Sequence, residues 1–330
     1  MKDFIDLCAG TGAFSIALES SGKYKCVYTN DVMKSSQDIY NLNHENGTFN
    51  LGDMMDIDVT TIPPHDLLCS GFPCQPFSIA GDKKGFDDDR SNVFWKIVEI
   101  LKHHQPETII LENVKNLTSH DKGNTFKVIQ KSLEDCGYSI KYKILDTVKI
   151  SSVPQHRERI YIVGFRDKNV YDAFNFDFET TEKGNITDFI EDEVPEKYYY
   201  TDKLKVFPQV VKDVKKNVKE NVIYQYRRYY VRENKSNCCP TLTANMGGGG
   251  HNVPIIKDDQ GIRKLTPREC FNLQGFPSTY KFPKISDSAL YKLAGNAVSV
   301  PVISLVVSKL VKAVHITSSN PYQPCSTSSP

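Results

Sequence analysis

Cys74 follows directly on Pro73 in the run Gly71-Phe72-Pro73-Cys74-Gln75-Pro76-Phe77-Ser78, just beyond the short apolar stretch Asp66-Leu67-Leu68-Cys69. That order puts a thiol at the carboxyl end of a strand, the edge at which open α/β sheets carry their chemistry. A thiolate is the most nucleophilic group a protein offers near neutral pH. An isolated cysteine is more often a small buried hydrophobe, but this one has company. Glu112 stands in Leu111-Glu112-Asn113-Val114 at the end of a second apolar stretch, Thr108-Ile109-Ile110. Arg157 and Arg159 belong to Gln155-His156-Arg157-Glu158-Arg159-Ile160-Tyr161, which leads into a third. Together they supply a nucleophile, a carboxyl group and two guanidiniums, the parts needed for covalent catalysis in which negative charge develops on the adduct.

Pro73-Cys74-Gln75, Glu112-Asn113-Val114 and Gln155-His156-Arg157-Glu158-Arg159, in this order, resemble the motifs of the cytosine-5 DNA methyltransferases of the bacterial, phage and viral restriction-modification type. The resemblance extends to Phe4-Ile5-Asp6-Leu7-Cys8-Ala9-Gly10-Thr11-Gly12, to Arg268-Glu269-Cys270-Phe271-Asn272-Leu273-Gln274-Gly275-Phe276-Pro277 and to Gly295-Asn296-Ala297-Val298. It implies methyl transfer from S-adenosyl-L-methionine to carbon 5 of a cytosine, with S-adenosyl-L-homocysteine as product and no metal. The base must be flipped out of the duplex, because its carbons 5 and 6 cannot be reached in the stack. Carbon 5 is a poor nucleophile until a thiol adds at carbon 6, and by the resemblance Cys74 makes that addition. Glu112, kept protonated by a desolvated pocket, would meet ring nitrogen 3. Arg159, with Arg157 nearby, would hold the ring carbonyl oxygen and orient Glu112. Gln75, Ser78 and Gln155 are expected on the DNA side of these motifs.

The donor needs its own site. Residues 2–7 read as a first strand, the turn Ala9-Gly10-Thr11-Gly12-Ala13 opens a helix through Phe14, Ile16, Ala17 and Leu18, and a second strand ends in Asn30-Asp31. An acidic residue there can accept both ribose hydroxyls. Dinucleotide enzymes share that geometry, but their fingerprint has a third glycine where this chain has Ser15. By the resemblance, Asp6 lies near the amino-acid end of the donor, Asp53 and Met54 meet the adenine edge, and Asn296 and Ala297 close over the methionine part. Cys8, Gly10, Thr11, Gly12, Val32 and Pro73 complete the expected donor contacts. Cys8 stands where the family commonly has Phe.

Those residues need an α/β scaffold, a mixed Rossmann-like sheet with helices on both faces, joined to a smaller irregular unit. The expected division is a catalytic and donor-binding domain over 1–170 and a target-recognition domain over 171–285. Residues 286–316 return to the first domain and a disordered tail spans 317–330. Residues 91–104 and 299–313 read as amphipathic helices, and 79–90 as a loop closing over the flipped base. The chain's net charge of +1 hides an asymmetry. Residues 172–197 carry nine acids against two lysines, whereas residues 201–235 carry ten bases against four acids. The basic stretch is interleaved with Tyr224, Tyr226, Tyr229 and Tyr230, a pattern suited to phosphate contacts, for which Arg227 and Arg228 are the candidates. Thr241-Leu242-Thr243 followed by Gly247 to Gly250 resembles the family's target-recognition segment, which puts Thr241 and Thr243 on DNA.

The partners this implies are double-stranded DNA with a specific site and, acting separately, a cognate restriction endonuclease. No apolar run long enough to span a membrane and no signal peptide is read, so a cytoplasmic, nucleoid-associated monomer is expected. Nine cysteines without a Cys-x-x-Cys pair indicate a reducing compartment and no structural zinc. Two other readings compete. One is methylation of cytosine in transfer RNA, whose enzymes carry Cys-Phe-Thr in the target segment; the nearest string here is Cys270-Phe271-Asn272. The other is a catalytically inactive DNA-binding relative.

Overall fold

Lys2–Leu7 forms β1 and lies between β2 (Tyr24–Asp31) and β4 (Leu67–Ser70), parallel to both. This computed structural model describes residues 1–45, 47–73, 93–201, 222–227, 230–248 and 252–319. β3 (Thr48–Leu51) extends the sheet beyond β2, and β5 (Thr108–Val114) extends it beyond β4, again in parallel. The last two strands reverse. β7 (Glu158–Phe165) is antiparallel to β5, and β6 (Ser139–Asp146) is antiparallel to β7 at the far edge. The strand order is β3-β2-β1-β4-β5-β7-β6. The chain leaves β1 on one side and returns on the other, so a crevice opens at the carboxyl ends of β1 and β4.

Side-chain alternation along the strands builds two cores. Phe4, Leu67 and Ile110 face one side and Ile5, Leu68, Ile109 and Leu111 the other, all fully buried. The first face is covered by α1 (Ala13–Ser20) and the chain's last helix, the second by α3 (Val93–His104) and α4 (Asn124–Asp135). Between them in sequence, α2 (Lys34–Asn43) packs Ile39 and Tyr40 beside β2. Two short helices follow, α5 (Thr147–Ile150) and α6 (Lys168–Ala173).

A second, four-stranded antiparallel sheet has the order β11-β10-β8-β9, formed by β8 (Ile223–Arg227), β9 (Tyr230–Glu233), β10 (Ile255–Lys257) and β11 (Ile262–Lys264). Its small core is Tyr224, Val231 and Ile255 with Tyr226 and Ile262. Ile223 and Ile256 join this sheet to the larger core, and a buried fork ties it further. Arg263 Nη1 and Nη2 donate to Glu269 Oε2 and Oε1, both at 2.8 Å, and both residues are 0% exposed. Glu269 also accepts from the backbone N–H of Thr266 at 2.7 Å, the reciprocal cap that starts α7 (Pro267–Asn272). The Arg268-to-Pro277 motif is therefore largely scaffold.

The chain then forms α8 (Asp287–Asn296) and α9 (Val300–Ser319). α9 runs past the expected end at Ala313 and takes residues 317–319 of the expected tail into the helix; residues 320–330 lie outside the described residues. Residues 287–318 are long and apolar enough to cross a membrane by length and composition. Val302, Ile303, Val306, Val307 and Leu310 are nevertheless buried in the core against α1 and α6, which is the role of a core helix.

Candidate active site

A cavity of about 610 Å³ opens at the carboxyl ends of β1, β2, β4 and β5. Of the expected donor contacts, Cys8, Gly10, Thr11, Asp31, Val32, Asp53, Met54, Pro73, Asn296 and Ala297 all line it, and so do Glu112, Arg157 and Arg159. The turn after β1 explains the approach. Cys8, Gly10 and Gly12 hold φ of +55°, +54° and +72°, and a Cβ on Gly10 would meet nothing within 4 Å, which leaves the backbone open to the cavity. Asp31 is pinned by two backbone donors, Gly10 N–H at 2.9 Å and Met33 N–H at 2.8 Å. Each carboxylate oxygen keeps capacity for another donor.

The lining fits S-adenosylmethionine. Thr11 Oγ1 is buried in the wall without a partner, a polar atom awaiting a ligand. Val32 is 67% exposed beside Asp31, an apolar surface suited to a flat ring next to the ribose-binding carboxylate. Asp6 and Gly12 stand behind this wall and do not line the cavity. Asp6 is fully buried, accepts from Ser15 Oγ at 3.0 Å and leaves Oδ1 unpaired; burial pushes its carboxyl up to about 7. Ser15, at the position of the missing glycine, thus links Asp6 to Tyr40, whose hydroxyl is 2.9 Å away.

At the other end of the cavity, Glu112 on β5 lies opposite Tyr161 on β7, and Val114 opposite Arg159. Arg159 Nε is 3.3 Å from Glu112 Oε1, without forming a hydrogen bond to it. Burial raises the Glu112 carboxyl above the ordinary range, opposed by the charges of Arg159 and then Arg157. Asn113 has a role that its residue type does not announce, although it sits inside a motif. Its Nδ2 donates to Phe72 O at 2.9 Å, fixing the backbone that leads into Pro73.

Arg157 departs from expectation. It is 2% exposed, and its Nη groups donate to Leu242 O at 2.9 Å and Ala297 O at 2.7 Å, with Gly295 O at 3.4 Å. It reaches Glu112 only through its charge and acts as a strut between three segments. Burial holds its guanidinium down at about 10, still charged at neutral pH. Gln155 is a correction. It is 0% exposed, its Nε2 donates to Leu273 O at 2.5 Å and its Oε1 accepts from Leu242 N–H at 3.1 Å, so its amide is consumed inside the protein and offers nothing to DNA. Gly295 completes this joint, since any Cβ there would overlap the Thr243 backbone.

Thr241 lines two clefts beside the main cavity and donates to His156 O at 2.7 Å, whereas Thr243 is exposed. Cys74, Gln75, Ser78, Arg228, the 79–90 loop and the side chain of Arg227 lie outside the described residues. Cys270 and Phe271 are fully buried in α7, so the string nearest to the transfer-RNA enzymes' motif is core.

The parallel sheet ending in an antiparallel β7, with a donor-sized cavity at its switch point, is the fold of S-adenosylmethionine-dependent methyltransferases. Residues 2–312 match the family model of the C-5 cytosine-specific DNA methylases. The chain belongs to that family and is a DNA cytosine-5 methyltransferase. It is 45% identical over 318 residues to Type II methyltransferase M.Bsp6I of Bacillus sp. (strain RFL6), covering 95% of this chain and 100% of the relative. It is 38% identical over 338 residues to Type II methyltransferase M.HaeII of Haemophilus aegyptius, covering 98% of each. The fold is similar to that of a DNMT2 mutant from Spodoptera frugiperda, with a TM-score of 0.71 at 20% identity, over 94% of this chain and 100% of the other.

Proposed function

We propose that this enzyme methylates one cytosine within a specific duplex sequence, as the modification partner of a separately acting restriction endonuclease, and that it works as a cytoplasmic monomer. The observation that carries the reading is a single cavity with Asp31, Val32 and Asp53 at one end and Glu112 beside Arg159 at the other. Asp31 and Asp53 would hold the ribose and adenine of S-adenosylmethionine, and Asn296 and Ala297 its methionine part. When bound, the donor supplies an electrophilic methyl group.

The Cys74 thiolate would add to carbon 6 of the flipped cytosine, forming the sulfur–carbon bond and sending the ring's electron pair toward nitrogen 3. Glu112 would give its proton there. Arg159 would hold the ring carbonyl oxygen and stabilise the charge as it develops. As carbon 5 takes the methyl group, the proton on nitrogen 3 returns to Glu112; loss of the carbon 5 proton to a base, with the electrons returning to expel Cys74, then regenerates the enzyme. Arg157 is a positioning residue for the donor loop and the Leu242 segment. The region from 171 to 285 would supply target recognition, with Arg227 and Arg228 on phosphates and Thr241 and Thr243 near the DNA.

The test is transfer of tritiated methyl groups to duplex DNA and to transfer RNA in parallel, followed by bisulfite sequencing. Label in DNA at one cytosine of a recurring sequence supports the proposal. Label confined to RNA, or label in neither, contradicts it.

A further inference from the structure

Gln225 on β8 and Arg232 on β9 lie opposite each other in register, and Arg232 Nη2 donates to Gln225 Oε1 at 3.3 Å. Both are on the face turned away from the small sheet's own core, because the alternate residues Tyr224, Tyr226 and Val231 pack with Ile255 and Ile262. A cross-strand pair on such a face is commonly just surface. This one instead lines a cavity of about 610 Å³ together with His156, Asn234, Ser236 and Thr241. His156 and Thr241 also line a neighbouring cleft of about 380 Å³ with Lys115 and Arg159, and Arg159 lines the catalytic cavity. Shared walls at Arg159, and at His156 and Thr241, set the Gln225–Arg232 cavity two clefts along from the catalytic cavity.

The chemistry of the pair narrows what it can recognise. The Arg232 guanidinium carries only donors, and its contact with Gln225 Oε1 orients the fork while leaving its other N–H groups free to face a base. Guanine is the base whose major-groove edge offers two adjacent acceptors, N7 and O6. Adenine alternates acceptor and donor, and cytosine presents a donor.

We propose that Arg232, braced by Gln225, reads a guanine of the target site from the major groove. The inference rests on the methyltransferase reading and gives its unassigned specificity a residue. Arg232 is exposed, so substituting it leaves the core intact.

The experiment compares wild type with Arg232→Lys, which keeps the charge and loses the planar fork, on a plasmid library with a randomised segment read by bisulfite sequencing. Equilibrium dialysis of S-adenosylhomocysteine checks the donor site of each. The wild type should require at least one guanine. Arg232→Lys should relax that position alone, with discrimination falling roughly five- to a hundredfold and donor binding unchanged. Unchanged preference at every position overturns the proposal, as does a loss shared evenly by all sequences, which would mark a phosphate contact. If Arg232→Lys methylates too slowly to score, the library fraction it retains on a filter is sequenced instead, and the same two outcomes decide. Wild-type protein that methylates no cytosine would defeat the methyltransferase reading itself, which separates that failure from this one.

Discussion

Arg159 Nε sits 3.3 Å from Glu112 Oε1 across the β5–β7 pair, at the catalytic end of the cavity. The arrangement sets two influences against each other on one carboxyl group, since burial favours its protonated form and the guanidinium its ionised form. A group that must donate a proton to the ring and take it back as carbon 5 is methylated needs this balance.

Glu112→Gln should therefore lower kcat by about 10²- to 10⁴-fold, with S-adenosylhomocysteine binding within about twofold of wild type. Activity that needs protonated Glu112 falls as pH rises through its pKa. Removing Arg159 removes the largest influence lowering that pKa, so the basic limb of the kcat/KM profile of Arg159→Ala should move to higher pH on top of an overall rate loss. A limb that stays put or moves to lower pH would show that Glu112 is not the proton donor.

Arg157 satisfies carbonyls of Leu242, Gly295 and Ala297 with one buried guanidinium. Arg157→Lys cannot span all three, and each charge-assisted hydrogen bond lost to a buried carbonyl costs about 1.5–3 kcal/mol. Urea unfolding should show a loss of that order, and KM for the donor should rise more than kcat falls, because Ala297 lines the donor cavity. A drop in kcat alone with unchanged stability would make Arg157 a catalytic group instead.

Asp6 gives a pH prediction for stability. Its folded pKa of about 7 lies above the ordinary aspartate value of 3.8, so the folded state holds the proton more tightly. Its contribution is fully present below about pH 4 and is lost as pH rises to about 7. In Asp6→Asn this loss is absent. Measured without donor, the stability of the variant relative to wild type should climb between pH 4 and 7, by on the order of a few kcal/mol. A difference that is flat across that window would mean that Asp6 titrates normally.

Much of the donor and catalytic ends of the cavity is legible in the sequence because Cys8, Asp31, Pro73 and Glu112 sit at or just beyond the carboxyl ends of strands. The apolar runs of β1, β4 and β5 place Cys8, Gly71 and Glu112 at one edge of the sheet, and alternation does the rest. Arg157 and Gln155 depart from expectation for a shared reason. Their motif is a linear string, but their side chains are spent on Leu242, Leu273 and Ala297, partners far away in sequence. Nothing local announces such a contact. Arg263 and Glu269 are similarly opaque, since a buried ion pair and a solvated one have the same composition. The Gln225–Arg232 pair depends on the register of a hairpin, which composition alone does not set.

Covalent attack by Cys74 is the central claim, and DNA synthesised with 5-fluorocytosine in place of every cytosine tests it whatever the target sequence. Fluorine cannot leave carbon 5 as a cation, so the enzyme should be trapped after methyl transfer. With S-adenosylmethionine present, wild type should form a complex that survives denaturant, and the tryptic peptide carrying Cys74 should hold the modified nucleotide by mass spectrometry. Cys74→Ser should form none while still binding S-adenosylhomocysteine. Methylation of ordinary DNA with no trapped complex on the fluorinated DNA, or a trapped nucleotide on another residue, would contradict the mechanism.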